Sequence, residues 1–329
     1  MDRIINANIR AYLYDSSGAD ESVELDDIEV SEIDASKLLW VTVLQRDAKL
    51  IKRVADRLHL EHVPIRTIID GPSHPTHARF DDFFHFSINS VMMHTDNSPL
   101  KYPIDFLVGK NFVVTIHDDE VDYFVSLRNR EKGETMFGEL SSESFVATLL
   151  DLHVVSYFNA LAAIERQVDK LDSRVLKKDL ETDEFITQMV TLRRGVSKLR
   201  RWLIPHRELI YSFLRADFQQ IAEADTRELY KTLEAHFESA VDAIDGSRDA
   251  VLGAFDLYAT KSSQLTNIFI QRLTFLTLVI GALGVVAGIL GTNFKVDFFD
   301  SPHGFWITIG GMIVFTIVAT LYARRRRWI

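Results

Sequence analysis

Along the first 135 residues, apolar and polar positions alternate in short runs; after Glu143 apolar positions recur every three or four residues. The runs IRAYLY, LLWVTVL and HFSINSVMMH have the period of strands, as do PIDFLV and FVVTIHD, which Gly109-Lys110-Asn111 joins into a hairpin. DAKLIKRVADRLHL spaces its apolar residues as one face of a helix. The connection DGPSHPTHARFDD holds Pro72 and Pro75 and is expected to lack regular structure. These elements predict an α/β domain over residues 1–135. The helical remainder predicts one helix to about Lys178, a second from Thr182 to Leu214 that Pro205 kinks, and a third from about Asp225. No proline interrupts the third before Pro302, so an unbroken helix to Leu290 would be about 100 Å long at 1.5 Å per residue.

Two stretches, 273–294 and 301–323, contain no Asp, Glu, Lys or Arg. Each can cross a hydrocarbon core of about 30 Å, which takes roughly 20 apolar residues. The expected organisation is therefore an α/β domain over 1–135, a helical region and stalk over 136–266, and a first membrane helix over 267–290. An external loop over 291–303, a second membrane helix over 304–323 and a basic tail over 324–329 complete it. Arg324, Arg325, Arg326 and Arg327 follow the second span and Lys261 and Arg272 flank the first, whereas the loop between them has only Lys295. The positive-inside rule then puts both termini in the cytoplasm and the short loop outside. The start, MDRIINANIRAYLYD, is polar and strand-like and is not expected to be a signal peptide.

Charge separates the two parts further. Of 37 basic and 47 acidic residues, six and two fall in 262–329, leaving 31 against 45 before it, a formal net charge of −14. Such a surface repels nucleic acid and attracts cations. The absence of cysteine excludes disulfides and thiolate metal sites. With no Gly-rich phosphate loop, no nucleophile beside a base and no redox motif, an enzyme is not expected, and divalent cations are expected only as transported or regulatory ions.

One face of the third helix is unusual. Steps of three and four residues from Ser239 meet Asp242, Gly246, Asp249, Gly253, Asp256, Thr260, Ser263, Asn267, Ile270, Thr274, Thr277, Gly281, Gly284 and Gly288. A packed seam would carry Leu, Ile or Val at these positions, and Ile270 is the one large apolar residue among them. Before Asn267 the stripe reads equally well as a solvated face. Within the membrane, Thr274 and Thr277 must bond their own helix carbonyls, bond a neighbour or line a wet cavity, and the three glycines either permit close packing or line a pore. Continuity of the face across the membrane boundary favours a pore. One helix cannot enclose a channel, so a ring of subunits is required, which turns Asp242, Asp249 and Asp256 into circles of carboxylates and Asn267 into a circle of amides.

The segment GILGTNF, from Gly288, is similar to the signature at the outer mouth of the CorA magnesium transporters, where a Gly-Met-Asn triplet closes the first of two C-terminal spans. WVTVL from Trp40, HVPIRTIID from His62, FLVGKNFVVTIHD from Phe106 and KLRRWLIPHREL from Lys198 resemble family segments in the family's order, as do Asn267 and the basic tail. The resemblance implies a funnel-shaped homopentamer in membrane lipid, with the stalk helices lining the pore and Gly291, Thr292 and Asn293 forming a selectivity ring. Gly291 can take a positive φ and end the helix, so that an alanine there would act through the backbone, and the Asn293 carbonyl can hold the water shell of a hydrated ion. Asp297 and Asp300 would concentrate cations at the mouth, offset in part by Lys295.

Thr292 replaces the family's methionine, Leu290 a tyrosine and Ala282 a proline. The branch that includes the ZntB zinc transporters also alters the middle of the triplet, so Mg²⁺ and Zn²⁺ both stand as the ion. Asp81 and Asp82 fall near the family's inter-subunit regulatory metal site, although paired surface aspartates are ordinary. Asn293, Asp256, Asp81 and Asp82 are thus the candidate metal-contacting residues. His74 and His77, with His85 and His94 nearby, have the chemistry of zinc ligands, but a proline-bounded loop supplies no rigid geometry and exposed histidines are expected there. A function of another class, a non-conducting membrane-anchored sensor or scaffold, is motivated by Thr292 and Lys295.

Overall fold

The computed structural model describes residues 8–16, 20–29, 33–34, 36–71, 74–95, 98–130, 136–177, 182–216, 218, 221, 223–292 and 302–326. They form an N-terminal α/β domain, a long helix and a last apolar helix. In chain order the elements are β1 (Ile9–Asp15), β2 (Glu21–Val23), β3 (Lys37–Leu44), α1 (Ala48–Arg57), α2 (Ile65–Asp70), β4 (His77–Arg79), β5 (Phe83–Met93), β6 (Pro99–Gly109), β7 (Phe112–His117) and α3 (Asp122–Arg130). There follow α4 (Ser142–Lys177), α5 (Thr182–Leu203), α6 (His206–Leu214), α7 (Ala224–Leu290) and α8 (Pro302–Arg325).

The seven strands lie in the order β2-β1-β3-β7-β6-β5-β4, and only the central pair β3 and β7 is parallel. A central parallel strand is covered on both faces, and β3 shows why LLWVTVL is apolar almost throughout. Leu39, Val41 and Val43 pack with Leu50, Ile51 and Val54 of α1. On the opposite face the Trp40 ring lies 5.2 Å from Phe124 of α3 and 5.5 Å from Phe145 of α4. The helix α1 starts where the Asp47 carboxylate accepts hydrogen bonds from the amides of Lys49 and Leu50, an N-cap that satisfies two otherwise orphaned donors. In the β6–β7 hairpin Asn111 has a φ of 64°, and a Cβ on Gly109 would come within 2.1 Å of the Phe112 ring, so a side chain there would have to displace that ring.

Three local expectations change. The loop 70–82 is not wholly irregular: His77–Arg79 forms an edge strand on Phe84–Phe86, made possible because both prolines precede it. Pro205 does not merely kink a helix; α5 stops at Leu203 and α6 begins at His206, since a proline nitrogen cannot donate to the preceding turn. The short helices α2 and α3 carry too few turns to show a period in the sequence.

Among the described residues, three helices are long and apolar enough to cross a membrane, and burial separates them. The apolar window of α4 is 56% buried inside the chain, against 6% for the windows of α7 and of α8. Phe145, Leu149, Tyr157, Leu161 and Ile164 make α4 a core helix of the domain. The chain divides into two compact units, Met1–Ser173 with Leu180–Gly253 and Arg174–Asp179 with Ala254–Ile329.

Candidate functional site

The polar stripe lies on α7, and what surrounds that helix differs between the two units. In the first, Phe237, Ala240, Val241, Ile244 and Val251 are buried, and the Ser247 hydroxyl donates to the Glu165 carboxylate at 2.8 Å. At 100° per residue these positions centre opposite Asp249, and Asp242, Gly246 and Asp249 are all exposed. In the second unit, Ala282, Leu283 and Val286 line a 370 Å³ groove with Thr308, Gly311, Met312 and Phe315 of α8. Thr277, Gly281, Gly284 and Gly288 project from the opposite side of α7 and are exposed. A Cβ added at Gly246, Gly253, Gly281, Gly284 or Gly288 would meet nothing within 4 Å, so these glycines do not serve packing within one chain.

Exposure alone does not single out the stripe beyond residue 255. Asp256, Thr260, Ser263, Asn267, Ile270 and Thr274 are exposed, and so are Leu265, Ile268 and Phe269, which lie off it. What distinguishes the stripe is direction and residue type. The Thr277 hydroxyl donates to the Leu273 carbonyl at 2.9 Å, so this residue meets its hydrogen-bonding need inside its own helix.

The helix ends at Leu290. The amide of Gly291 donates to the Ala287 carbonyl at 3.0 Å, and the Thr292 hydroxyl donates to the Ile289 carbonyl at 2.6 Å. Thr292 therefore caps the last turn with the group that methionine lacks. Gly291 does not take the left-handed φ expected of it, and a Cβ there would lie 3.5 Å from the Ala287 oxygen, an ordinary contact. Asn293, Lys295, Asp297 and Asp300 lie outside the described residues.

In the soluble unit, Asp81 and Asp82 are exposed in the turn between β4 and β5, where the Phe80 amide donates to the Phe83 carbonyl at 2.9 Å. Among the described residues of this single chain, no group of three His, Asp or Glu side chains could hold a metal ion. His74, His77 and His94 are exposed as expected, but His85 is not. It is buried on β5, with its Nε2 2.7 Å from Asp105 Oδ1. The other oxygen of Asp105 accepts from Arg46 at 2.5 Å, and Arg46 also donates to the carbonyls of Ile68 and Pro103.

A second buried polar group was not legible in the sequence. His206, set at the start of α6 by Pro205, accepts the Asn89 amide proton on Nε2 at 3.0 Å, with Nδ1 3.0 Å from the Leu203 carbonyl. Burial pushes its pKa from 6.5 down to about 4. The ring of His153 lies 4.8 Å away, and its pKa is also well lowered by burial. The one available signal was the proline before the histidine in LIPHREL.

A domain with an α/β sheet core, one helix of 67 residues and two C-terminal apolar segments defines a membrane protein with a large soluble part. The family model for the CorA-like Mg²⁺ transporter protein matches residues 35–325. The chain belongs to this family of metal ion transporters. It is 22% identical over 300 residues to the cobalt/magnesium transport protein CorA of Thermotoga maritima, covering 90% of this chain and 85% of that one. Its fold matches the complete CorA magnesium transporter of Methanocaldococcus jannaschii with a TM-score of 0.73 at 18% identity, over 97% and 98% of the two chains. It also matches the ZntB cytoplasmic domain of Vibrio parahaemolyticus with a TM-score of 0.60 at 13% identity, over 78% of this chain and 99% of that one.

Proposed function

We propose that the chain assembles into a homopentamer in a cell inner membrane, both termini cytoplasmic, and conducts divalent cations through a central pore lined by the α7 stripe. The observation that carries this reading is the open glycine face. A Cβ on Gly281, Gly284 or Gly288 would meet nothing within 4 Å among the described residues, and the three lie opposite the side of α7 that faces α8. A membrane helix that presents small residues to no intrachain partner is suited to close approach by other copies or to a wet lumen. The threonines and acidic residues of the same stripe favour the lumen. Asp249 and Asp256 would then concentrate cations below the membrane, and Asn293 would meet the hydrated ion outside. Asp81 and Asp82 remain candidates for a regulatory metal site between subunits.

Mg²⁺ is the ion proposed first, with Zn²⁺ the alternative. The T. maritima and M. jannaschii relatives are named for magnesium, and the Vibrio neighbour is a ZntB domain. Uptake of Mg²⁺, Zn²⁺, Co²⁺ and Ni²⁺ into proteoliposomes is the test. Flux of at least one above empty liposomes is expected, and the order of rates names the ion. No flux of any of the four would leave the scaffold or sensor reading in its place.

A further inference from the structure

Between α5, the Pro205 break and the lower part of α7, the soluble unit has an open groove of about 830 Å³. Its floor is apolar: Val196 and Val251 are buried, and Ile204 and Pro205 are half-buried. Its rim is cationic. Arg193 and Arg201 of α5 and Arg248 of α7 are exposed, and among the described residues none of the three pairs with a carboxylate, whereas Arg200 beside them holds Asp245 at 2.9 Å. No aspartate or glutamate lines this groove. Through His74 it runs into a second groove of about 960 Å³ that adds His77, Arg79 and Arg215, with Glu208 as its one acid.

This concentration of guanidinium groups stands in a region, residues 1–261, whose formal net charge is −14. Arg193, Arg201 and Arg248 repel one another, and an anion seated among them relieves that repulsion. Guanidinium groups match phosphate oxygens in geometry, often two bonds at a time. The volume falls within the roughly 300–1,000 Å³ of small-molecule sites, and a cationic rim over an apolar floor offers different places to a phosphate chain and to a flat ring.

We propose that this groove binds a nucleoside polyphosphate, with the phosphates on Arg193, Arg201 and Arg248 and the base against Val251, Ile204 and Pro205. A triphosphate chelates divalent cations, so occupancy would report the balance between free and chelated ion to the helix that carries the stripe. That regulatory consequence rests on the transport function proposed above; the binding does not.

The test is calorimetric titration of the full chain in detergent with ATP, AMP and tripolyphosphate. Saturable ATP binding that weakens with salt is expected, with AMP at least about tenfold weaker and tripolyphosphate between them. The R201Q/R248Q double variant removes two exposed groups and should keep its helical content and elution volume while losing about tenfold or more in ATP affinity. No ATP binding up to about 1 mM, or equal affinity in the variant, overturns the proposal. Tripolyphosphate binding as tightly as ATP overturns the role of the floor. A variant that changes oligomer mass while the wild type ignores ATP assigns the groove to a contact with a second copy and also overturns it. ATP binding in protein that shows no cation flux would remove the transport function and leave this site standing.

Discussion

At Asn89 the β5 strand runs beyond the end of β4, which pairs only with Phe84–Phe86. Two helix side chains take that place: His206 accepts from the amide, and the Tyr157 hydroxyl donates to the Asn89 carbonyl at 2.7 Å. The imidazole must be neutral to accept, which is why burial and this contact act together. In the unfolded chain His206 titrates near 6.5 and in the folded chain near 4, so between those values the unfolded state binds more protons. Stability is therefore full above about pH 6.5 and lost as pH falls toward 4, by about 3 kcal/mol for this residue, with His153 acting in the same direction. Unfolding midpoints measured from about pH 7.5 to 4.5 should fall in the wild type, and H206Q should begin lower and fall less. A flat profile would mean that folding lowers the pKa of neither imidazole. Asp105 poses the complementary case. D105A leaves the Arg46 guanidinium, 6% exposed, with only the more exposed carboxylate of Asp118 at 3.4 Å and removes the acceptor of His85, and should cost about 3 kcal/mol in urea unfolding.

For single elements, α7 carries most of the residues on which the proposed function rests. Its lower part buries one side in the domain and leaves Asp242 and Asp249 outward, so replacing acids there removes charge without removing packing. D249N/D256N should lower cation flux several-fold at low ionic strength, or shift its dependence on cytoplasmic metal, with unfolding midpoints unchanged. Unaltered flux and metal response would place both aspartates on an ordinary solvated face. The end of the same helix changes one expectation. Gly291 has neither a left-handed φ nor a close neighbour, so G291A should assemble normally and reduce flux less than changes at Asn293. For N293A we expect flux or selectivity among Mg²⁺, Zn²⁺ and Na⁺ to fall by about tenfold or more with assembly intact. Wild-type selectivity in N293A would make the triplet a helix-ending turn only.

The whole molecule combines a sheet domain with a buried core and apolar helices that the described residues of their own chain leave largely exposed. In the soluble unit Trp40, Phe86, Phe106 and Phe124 are buried from both sides. In the other unit Leu278, Ile280, Val285, Phe305 and Trp306 are each more than half exposed. In the proposed assembly, lipid would cover such a surface on α8, and lipid plus neighbouring copies that on α7. The proposed assembly would place other copies or a lumen against the open glycine face, and measurements of flux and oligomer mass test the same assembly.

Period and charge along the chain were enough to determine the larger elements. The strands around Trp40, the Gly109 hairpin, the long helix through Gly281 and the two uncharged spans each carry a pattern that only one kind of element satisfies, and the stripe from Ser239 to Gly288 is visible by counting residues. Tertiary structure decided what depends on neighbours distant in sequence. It made a core helix of α4, whose composition alone would let it span a membrane. It buried His85 against Asp105, twenty residues away, where loop composition pointed to solvent. It set His206 on Asn89, a pairing across 117 residues that no local pattern encodes. Periodicity reports the environment averaged over an element, whereas a single polar side chain is placed by the particular donor or acceptor that folding brings beside it.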